Sequence, residues 1–401
     1  MFGLRKKSTV HTLNSLAGLL GWVGYGTASG RSVTEATALE VSAVFCAARV
    51  IAEGVAQMPV RVLRETEVDG RLSRRVERSH WAHRLLSRRP NSWQTSYEFR
   101  EYAIFCAALC GEFLAVKGVA VNGEVRELFP IPPGAWSVRQ NRDYSLEYLV
   151  THGDKTTSVF GQAQVFHLRG PSFDGYSGLS AVRLAREAIG LAGALEKQQG
   201  RLAANGGKPS GVLSFAQPLQ PDTKEKLRET WQQKFGPNGE GGVAILDGDA
   251  RFASMTMTSV DAQHIETRKH QIEEVARAFR VFPQMLMQTD KASTFASAEQ
   301  FFRAHVIHTL GPWLRRFEET CDRDILPARD SLRVDLDERQ LLRGDFRDQA
   351  EYYARALGSG GAPAWMTQND VRSEIGMNPI ADATADRLPA MANAPAEGDQ
   401  A

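Results

Sequence analysis

Two amphipathic segments dominate the hydrophobic pattern of this 401-residue chain, and a short polar stretch separates them. In the first segment apolar residues recur at helical spacing up to Phe279, and Pro283 then disfavours helix at the residue before it. The second segment begins at Ser297 with the spacing of a capping box. The pattern therefore predicts one helix over residues 259–282 and another over residues 297–326.

The stretch between these helices, from Gln288 to Ser297, is small and polar and holds one lysine, Lys291, and one aromatic residue, Phe295. A segment of this composition is poor core material, so we expect it at a surface or lining a space. From composition alone it is an ordinary solvent-exposed connection.

Another predicted helix begins at about Ser180 and ends at the glycines that follow Asn205, which gives a rod of roughly 30–35 Å. Between this rod and the one that begins near Ser259 lies a compact insert, residues 207–258. Its predicted elements are a strand at 211–215, a helix from Pro221 or Asp222 to Phe235, and strands at 243–246 and 251–257.

The region before the first rod combines helical and strand patterns. Helices are predicted over residues 35–58 and 96–111, and a hairpin turns at Asp69-Gly70. Further strands are predicted at 113–121, 124–130, 136–139, 146–151 and 164–168. The region is therefore a mixed α+β unit, and the whole chain is predicted to be α+β and predominantly helical.

The two ends of the chain carry weaker patterns. After residue 326 we predict a strand at 331–336 and helices over about 338–357 and 367–375, and we predict disorder for the Ala-, Pro- and Asp-rich residues 381–401. Residues 1–32 resemble a secretion signal superficially, but polar residues and glycines break the apolar run and no cleavage site follows. They are predicted to form a flexible arm or a short amphipathic helix, and no stretch approaches the roughly 18 apolar residues of a membrane span.

The formal net charge of +1 excludes a global basic field that would attract nucleic acid. Any DNA contact must be local, or must come from one charge repeated around a symmetric ring. The arginines between Arg61 and Arg89 are interleaved with acidic residues, so they predict a solvated hairpin and helix face. The four cysteines show no metal-site spacing and indicate buried thiols in a reduced, cytosolic protein.

Motifs for enzymatic chemistry fail on spacing or context. Gly239-x-Gly241 precedes a predicted strand, whereas a dinucleotide loop must follow one. In Gly175-Tyr-Ser-Gly178 the second glycine of a nucleophile elbow comes one residue early. No P-loop motif is present. The sequence therefore predicts no catalytic residue, no metal site, no cofactor and no enzymatic activity.

Paired histidines and paired aspartates leave one enzymatic alternative, a metal-dependent nuclease or hydrolase. The histidine pairs have no third ligand beside them, and we predict satisfied or exposed side chains for His80, His83, His305 and His308. Asp322 and Asp324 are predicted to be surface charge at a helix end. Asp335 and Asp337 are predicted to lie on a half-solvated strand edge.

Seven phrases follow one another in order along the chain. They are SAVFCAARVIAEGVAQMPVRVLRE, RRPNSWQTSYEFR, LFPIPPGAWSVR, VFHLRGPSFDGYSGLSAVRLAREAIGLA, NGGKPSGVL, ETRKHQIEEVARAFRVFPQML and MTQNDVRSEIGMNP. Together they resemble the portal proteins of tailed phages with HK97-like heads, over about Ser42 to Pro379. The chain departs from that family in the loop STFASAEQ, where acidic or asparagine-containing variants are common, and in its short Ala-rich tail.

The resemblance implies a division of the chain into the regions of a portal subunit. These are a flexible arm (1–32), a wing (33–175), a first stem helix (176–206), a clip (207–258), a second stem helix (259–282), a channel loop (283–296), a long wing helix (297–326), a C-terminal crown region (327–380) and a disordered tail (381–401).

The resemblance also implies two functional surfaces. The channel loop would reach DNA, with Lys291 repeated around the axis as a ring of positive charge. Its implied DNA-facing residues are Thr289, Asp290, Lys291, Ser293 and Thr294. The implied docking residues of the clip are Lys224, Lys226, Arg228, Trp231 and Lys234.

The partners that the resemblance implies are those of a structural, non-enzymatic ring. They are further copies of the chain, commonly twelve, double-stranded DNA in the channel, the large subunit of terminase, the major capsid and scaffold proteins, and head-completion or adaptor proteins. No membrane is involved. The implied location is the portal vertex of the virion, after assembly in the host cytoplasm.

Overall fold

The computed structural model describes most of the chain and divides it into two units, residues 1–337 and 338–401. Among the described residues no helix is both long and apolar enough to cross a bilayer. The described residues are 25–68, 71–204, 211–214, 220, 222–223, 225–226, 229, 251–254, 260–288, 295–327, 331–338, 341, 346–359 and 363–388.

The strands of the described residues form small antiparallel sheets, ordered β1-β2, β10-β5-β6, β13-β3-β4, β7-β8-β9 and β11-β12. The strands are β1 (Tyr25–Gly26), β2 (Ser32–Val33), β3 (Val60–Val68), β4 (Arg71–Val76), β5 (Glu112–Val119), β6 (Val125–Ile131), β7 (Trp136–Gln140), β8 (Leu146–Thr151), β9 (Thr157–Gly161), β10 (Val165–Arg169), β11 (Gly211–Ser214), β12 (Arg251–Ser254) and β13 (Leu332–Leu336).

The helices include two long rods and one long helix interrupted by a π-helical turn at Val306–Leu310. The α-helices are α1 (Glu35–Ala38), α2 (Ser42–Ala56), α3 (Trp81–Ser87), α4 (Ser96–Cys110), α5 (Ala181–Leu184), α6 (Arg186–Ala204), α7 (Val260–Phe279), α8 (Phe295–His305), α9 (Gly311–Asp324), α10 (Phe346–Ala356) and α11 (Gln368–Glu374). The mixture of helices and strands confirms the predicted α+β class.

The core of the first unit forms where α2 and α4 pack together. Both helices carry small residues on their facing sides, which lets their backbones approach closely. Thr95 and Glu98 form a reciprocal capping box at the start of α4, and Gly111 ends it in the left-handed conformation. The chain then enters β5 directly, so α4 packs on the sheet β10-β5-β6.

Strand β13 joins the first unit through an antiparallel ladder with β3, in which Val334 lies opposite Val62. Leu332, Val334 and Leu336 are buried while Arg333 between them is exposed, as expected for the edge of a sheet with one solvated face. This strand lies within residues 327–380, the predicted crown region, but it pairs inside the first unit. The alternation of apolar and polar side chains along β13 explains why the strand packs on β3, although its place in the sequence had assigned it to the crown region.

The second unit is built from α10, α11 and a 3₁₀ turn at Ala383–Asp386. Thr367 and Asp370 cap α11, and Asn369 ties it to the following segment by hydrogen bonds to Ile380 and Asp386. Helix α10 begins at residue 346, eight residues later than its predicted start at 338.

Several local features differ from the predictions. Residues 25–33, inside the predicted flexible arm, form the β1–β2 ribbon against α6. Strand β9 was not predicted, because Thr157-Ser-Val-Phe-Gly161 lacks a clear polar–apolar alternation. The helix predicted over 297–326 is interrupted by the π-helical turn, which does not change the spacing of apolar residues enough to be seen in the sequence.

Candidate functional site

The rods α6 and α7 pack against each other and form the scaffold on which the predicted channel would be built. Arg268 of α7 donates a hydrogen bond to Gln199 of α6 (Nη1 to Oε1, 3.2 Å) and lies 3.8 Å from the carboxylate of Glu196. Val275 and Phe279 of α7 are buried. Because α7 also packs on α2, the pair is anchored to the core of the first unit.

The opposite side of α7 is solvated and carries both signs of charge. Glu274 accepts a hydrogen bond from Arg277 and lies 3.8 Å from the ring of His270. Glu266, one turn before His270 on the helix, is also exposed. Pairs of this kind on a helix surface contribute little to stability, so this face is available for contacts with other molecules.

Two residues with an uncommon backbone conformation lie at the base of the predicted channel loop. Arg280 (φ 55°) and Met287 (φ 60°) adopt the left-handed conformation, which is uncommon outside glycine. A 3₁₀ turn at Pro283–Leu286 lies between them. Thr309, in the π-helical turn, donates a hydrogen bond of 2.8 Å to the carbonyl of Arg280. The chain therefore leaves α7 in a direction fixed from both flanking helices.

The loop side chains implied to face DNA lie outside the described residues, namely Thr289, Asp290, Lys291, Ser293 and Thr294. The structure describes the two ends, at Gln288 and Phe295. Met287, next to the first end, is 89% exposed. A large apolar side chain held in solvent beside the loop is compatible with a site that contacts another molecule.

The structure describes part of the predicted clip, including strands near its two ends. Strand β11 pairs antiparallel with β12, with Ser214 opposite Arg251, so the two ends of the insert lie side by side. Of its five implied docking residues only Lys226 is described, and it is exposed. Lys224, Arg228, Trp231 and Lys234 lie outside the described residues.

Two carboxylates of α9 have a structural role: Asp322, which was predicted to be surface charge, and Glu318. Asp322 accepts a hydrogen bond from the backbone N–H of Val334 (2.7 Å), and Glu318 accepts one from that of Leu336 (2.9 Å). Both acceptors therefore pair with the open edge of β13. Burial raises the pKa of both carboxyls. The prediction that Asp322 is surface charge is therefore wrong, because the side chain completes the edge of a sheet.

Asp324 and Asp337 are also engaged by partners. Asp324 accepts a hydrogen bond from the backbone N–H of His167 (3.1 Å) and pairs with Arg323. Asp337 is 4% exposed and forms an ion pair with Arg61, so the prediction of a solvated edge position is wrong for this residue. Across the described ranges no group of His, Cys, Asp and Glu is arranged to hold a metal ion.

The histidine pairs have separate roles. His80 accepts a hydrogen bond from Ala82 N–H (3.2 Å) and caps α3, and the ring of His83 lies 3.3 Å from the hydroxyl of Ser87. His308 is exposed. His305 is buried, its Nδ1 has no hydrogen-bond partner among the described residues, and burial lowers its pKa. It therefore differs from the satisfied or exposed histidine that the sequence predicted.

Ser177 and the cysteines are not activated as nucleophiles. The Ser177 hydroxyl donates to the carboxylate of Asp174, and the residue is buried in a turn. The cysteines are free thiols. Burial raises the pKa of Cys106 to about 12, so its nucleophilic thiolate is not populated at neutral pH.

The most elaborate buried polar cluster was missed by sequence reasoning. His167 on β10 is 2% exposed, and its Nδ1 lies 3.1 Å from the hydroxyl of Tyr148, while its Nε2 lies 3.4 Å from Glu112. Arg323 donates to its carbonyl oxygen (2.9 Å). Burial lowers the pKa of His167 and raises that of Tyr148 to about 12, so both are neutral at pH 7. The cluster joins three strands to α9 and serves as a structural tie. A polar residue inside the apolar run VFHLR was the only available signal.

Comparison with known proteins places these features in a family context. A family model described as "Phage portal protein" matches residues 42–376. The portal protein of Enterobacteria phage HK97 is 28% identical over 361 residues, which cover 89% of this chain and 83% of that protein. A probable portal protein of Streptomyces phage phiC31 is 27% identical over 385 residues, 91% of this chain and 80% of its own length.

Solved structures share the fold. An HK97-family phage portal protein from Corynebacterium diphtheriae superposes with a TM-score of 0.57 at 18% identity, covering 76% of this chain and 95% of that one. A chain from the neck of a native GTA particle, computed with C12 symmetry, gives a TM-score of 0.55 at 21% identity and covers 86% and 92% of the two chains. The overall fold of this chain is therefore shared with those structures.

Proposed function

The chain belongs to the phage portal protein family, and from this premise we propose that its copies close into a ring through which double-stranded DNA enters and leaves a capsid. The observation that carries the proposal is the family match over residues 42–376. The ring is supported by the neck structure computed with C12 symmetry. Twelve subunits is the number that we propose for this chain.

The rods supply the physical basis for a channel wall. Helix α6 has 19 residues and α7 has 20, so each is about 30 Å long. One side of the pair is anchored to α2, and the exposed side of α7 carries charges of both signs. Head-to-tail contacts between such rods close into a ring when a whole number of the rotations between neighbours adds up to a full turn.

The channel loop is the proposed DNA contact. Sliding DNA requires contacts that are weak and blind to base sequence, and single lysines facing phosphates supply them. Each Lys291–phosphate contact would contribute about 1 kcal/mol and weaken with salt. Repetition of this lysine around the axis would create a local positive field in a subunit whose net charge is only +1. Thr289, Ser293 and Thr294 would add hydroxyl contacts.

The clip is the proposed docking platform for the terminase large subunit during packaging, and for head-completion or adaptor proteins afterwards. The β11–β12 ladder supports this proposal, because it brings the ends of the insert together and lets the clip form a local unit. Lys224, Lys226, Arg228 and Lys234 would supply positive charge, and Trp231 an aromatic anchor. The major capsid and scaffold proteins would surround the ring at one vertex.

We propose that the ring itself is not an enzyme. The nuclease alternative needs carboxylates that are free to bind metal. Asp322 instead accepts a backbone hydrogen bond, and Asp337 pairs with Arg61. The family comparisons likewise favour the portal function over the nuclease alternative. Energy for DNA movement would come from the terminase.

The test of this function is charge reversal in the channel loop, with Lys291→Glu compared with Lys155→Glu. Lys155 is exposed in the turn between β8 and β9, so its reversal changes the net charge equally at another place. We expect Lys291→Glu to leave the ring intact but to lower the packaging and retention of DNA, more at low salt than at high. Equal filling of heads by both variants at both salt concentrations would contradict the role of this loop.

A further inference from the structure

A closed Ω-loop, residues 171–179, connects β10 to α5. Its ends are joined by a hydrogen bond from the backbone N–H of Leu179 to the carbonyl of Pro171 (2.7 Å). Inside the loop the carboxylate of Asp174 accepts the backbone N–H groups of Tyr176 (3.0 Å) and Ser177 (2.7 Å). It also accepts the hydroxyls of Ser172 and Ser177. One side chain therefore organises the whole turn.

Contacts with the neighbouring strands also hold the loop in place. Gly178 crosses Gly111 so closely that an added Cβ would lie 1.8 Å from the Gly111 carbonyl oxygen. The N–H of Gly178 donates to Glu112 (3.0 Å), and Arg169 donates to the carbonyl of Gly175 (2.5 Å). The loop therefore has a fixed conformation before it meets any partner.

The one large apolar residue at the tip of this rigid loop points into solvent. Phe173 is 89% exposed. A preorganised loop loses little conformational entropy on binding, and an aromatic side chain that is already held out buries a large apolar area when it enters a pocket. Such a residue has the properties of an interface anchor.

Beside the tip lies an arginine-lined cleft of about 390 Å³. Arg316 donates to the carbonyls of Arg169 (3.4 Å) and Gly170 (3.0 Å), which fixes its guanidinium in place. Arg323 is already paired with Asp324. Within the described part of the chain neither Arg169 nor Arg316 forms an ion pair with a carboxylate. Glu319 also lines the cleft, and its carboxylate pairs with Arg315 (2.9 Å).

We propose that the Phe173 tip and the arginine cleft are one subunit-contact surface, which receives the next copy of this chain in the ring. The neighbour would offer an apolar pocket to Phe173 and a carboxylate to Arg169 and Arg316. This inference rests on the proposed ring.

Two observations favour a second copy of the chain over DNA as the occupant. A head-to-tail ring needs two unlike, complementary faces on every subunit. Arginine and aromatic residues together characterise protein interfaces, whereas an isolated exposed phenylalanine adds nothing to contacts with the backbone of duplex DNA. The chain also carries 47 acidic residues against 48 basic ones, so a basic cleft on one face leaves acidic residues for another.

The test compares Phe173→Ala with Tyr144→Ala as a matched control. Tyr144 is an aromatic residue at another turn, between β7 and β8, and is 81% exposed. The measurement is the protein concentration at half-assembly, by sedimentation or mass photometry. We expect Phe173→Ala to raise it by at least about tenfold, and Tyr144→Ala to leave it within about twofold, as for a surface site without a partner. Both substitutions should leave the thermal unfolding of the subunit unchanged, because neither side chain is buried.

A second variant, Arg316→Gln, tests the cleft with the same measurement. It should weaken assembly as Phe173→Ala does, with thermal unfolding as the check that the Ω-loop remains folded. Normal assembly by both variants, with wild-type rings present, overturns this surface but leaves the ring proposal intact. Absence of rings in the wild type overturns both. Normal assembly with reduced affinity for duplex DNA would also overturn it and would assign the cleft to DNA.

Discussion

Glu77 illustrates how a few hydrogen bonds control one ionisable residue. Its carboxylate accepts hydrogen bonds from the hydroxyl of Ser79 and from Arg64 (3.0 Å), and these contacts lower its pKa from 4.5 to about 2. A carboxyl whose pKa is lowered on folding contributes stability above its unfolded pKa and loses that contribution as the pH falls through the folded pKa.

We therefore expect the carboxyl of Glu77 to titrate at about pH 2 in the folded protein, measured by NMR. The stability lost between pH 4.5 and about 2 should be smaller in Glu77→Gln than in the wild type. A Glu77 that titrates near 4.5 would show that the contacts with Ser79 and Arg64 do not persist in solution.

Gly111 and Gly178 form a backbone crossing that admits no side chain at either position. Gly111 has φ 87°, and a Cβ there would lie 2.4 Å from the carbonyl carbon of Leu179. We expect Gly111→Ala and Gly178→Ala each to lower the free energy of unfolding by about 3 kcal/mol or more, from strain and overpacking. Gly153→Ala is the control, since nothing lies within 4 Å of its added Cβ. The measurement is denaturant unfolding of the three variants. Equal free energies of unfolding for all three would contradict this view.

Single residues were the scale at which sequence reasoning was weakest. Asp322 and Asp337 were expected at solvated positions, because hydropathy assigns acids to the surface. The structure uses the first to pair a strand edge and the second to bind Arg61. Those partners lie far apart in sequence or on another element, so no local pattern reports them.

At the scale of elements, α9 substitutes for a missing strand beside β13. Asp322 and Glu318 accept the N–H groups of alternate strand residues, Val334 and Leu336. An edge without this cover would expose unpaired N–H groups and invite pairing with another chain. The helix therefore contributes hydrogen-bond acceptors as well as apolar packing.

We expect Asp322→Ala to lower the free energy of unfolding by about 1–3 kcal/mol, because it leaves the N–H of Val334 without its acceptor. Asp322→Asn keeps an acceptor oxygen. Burial raises the pKa of Asp322, so the charged form is disfavoured in the fold and the amide should cost little at pH 7. Chemical denaturation of both variants measures this. Equal losses of unfolding free energy in the two variants would mean that the hydrogen bond to Val334 does not contribute to stability.

Regular elements were largely predictable from the sequence. The helix α4 and the strands β7 and β8 lie within a residue or two of their predicted bounds, because strong periodicity and local caps define them. The π-helical turn at Val306–Leu310 was not predictable, because it depends on tertiary partners such as the Thr309 bond to Arg280.

At the scale of the whole molecule, the family and the ring assembly were predicted from the ordered sequence phrases. The spacing of apolar residues alone did not indicate either. The net charge of +1 does not indicate DNA binding, because the proposed contact is a single lysine in each copy. The proposed ring depends on surfaces that meet only between copies. The channel loop itself is described only at its ends, so the position of Lys291 stays a prediction.

The most direct measurement of the central claim is electron microscopy of the purified chain with symmetry averaging. The account predicts closed rings with an axial hole, flanked by α6 and α7, and a rotational symmetry near twelve. Monomers or dimers at micromolar concentration, without rings at any salt concentration, would contradict it.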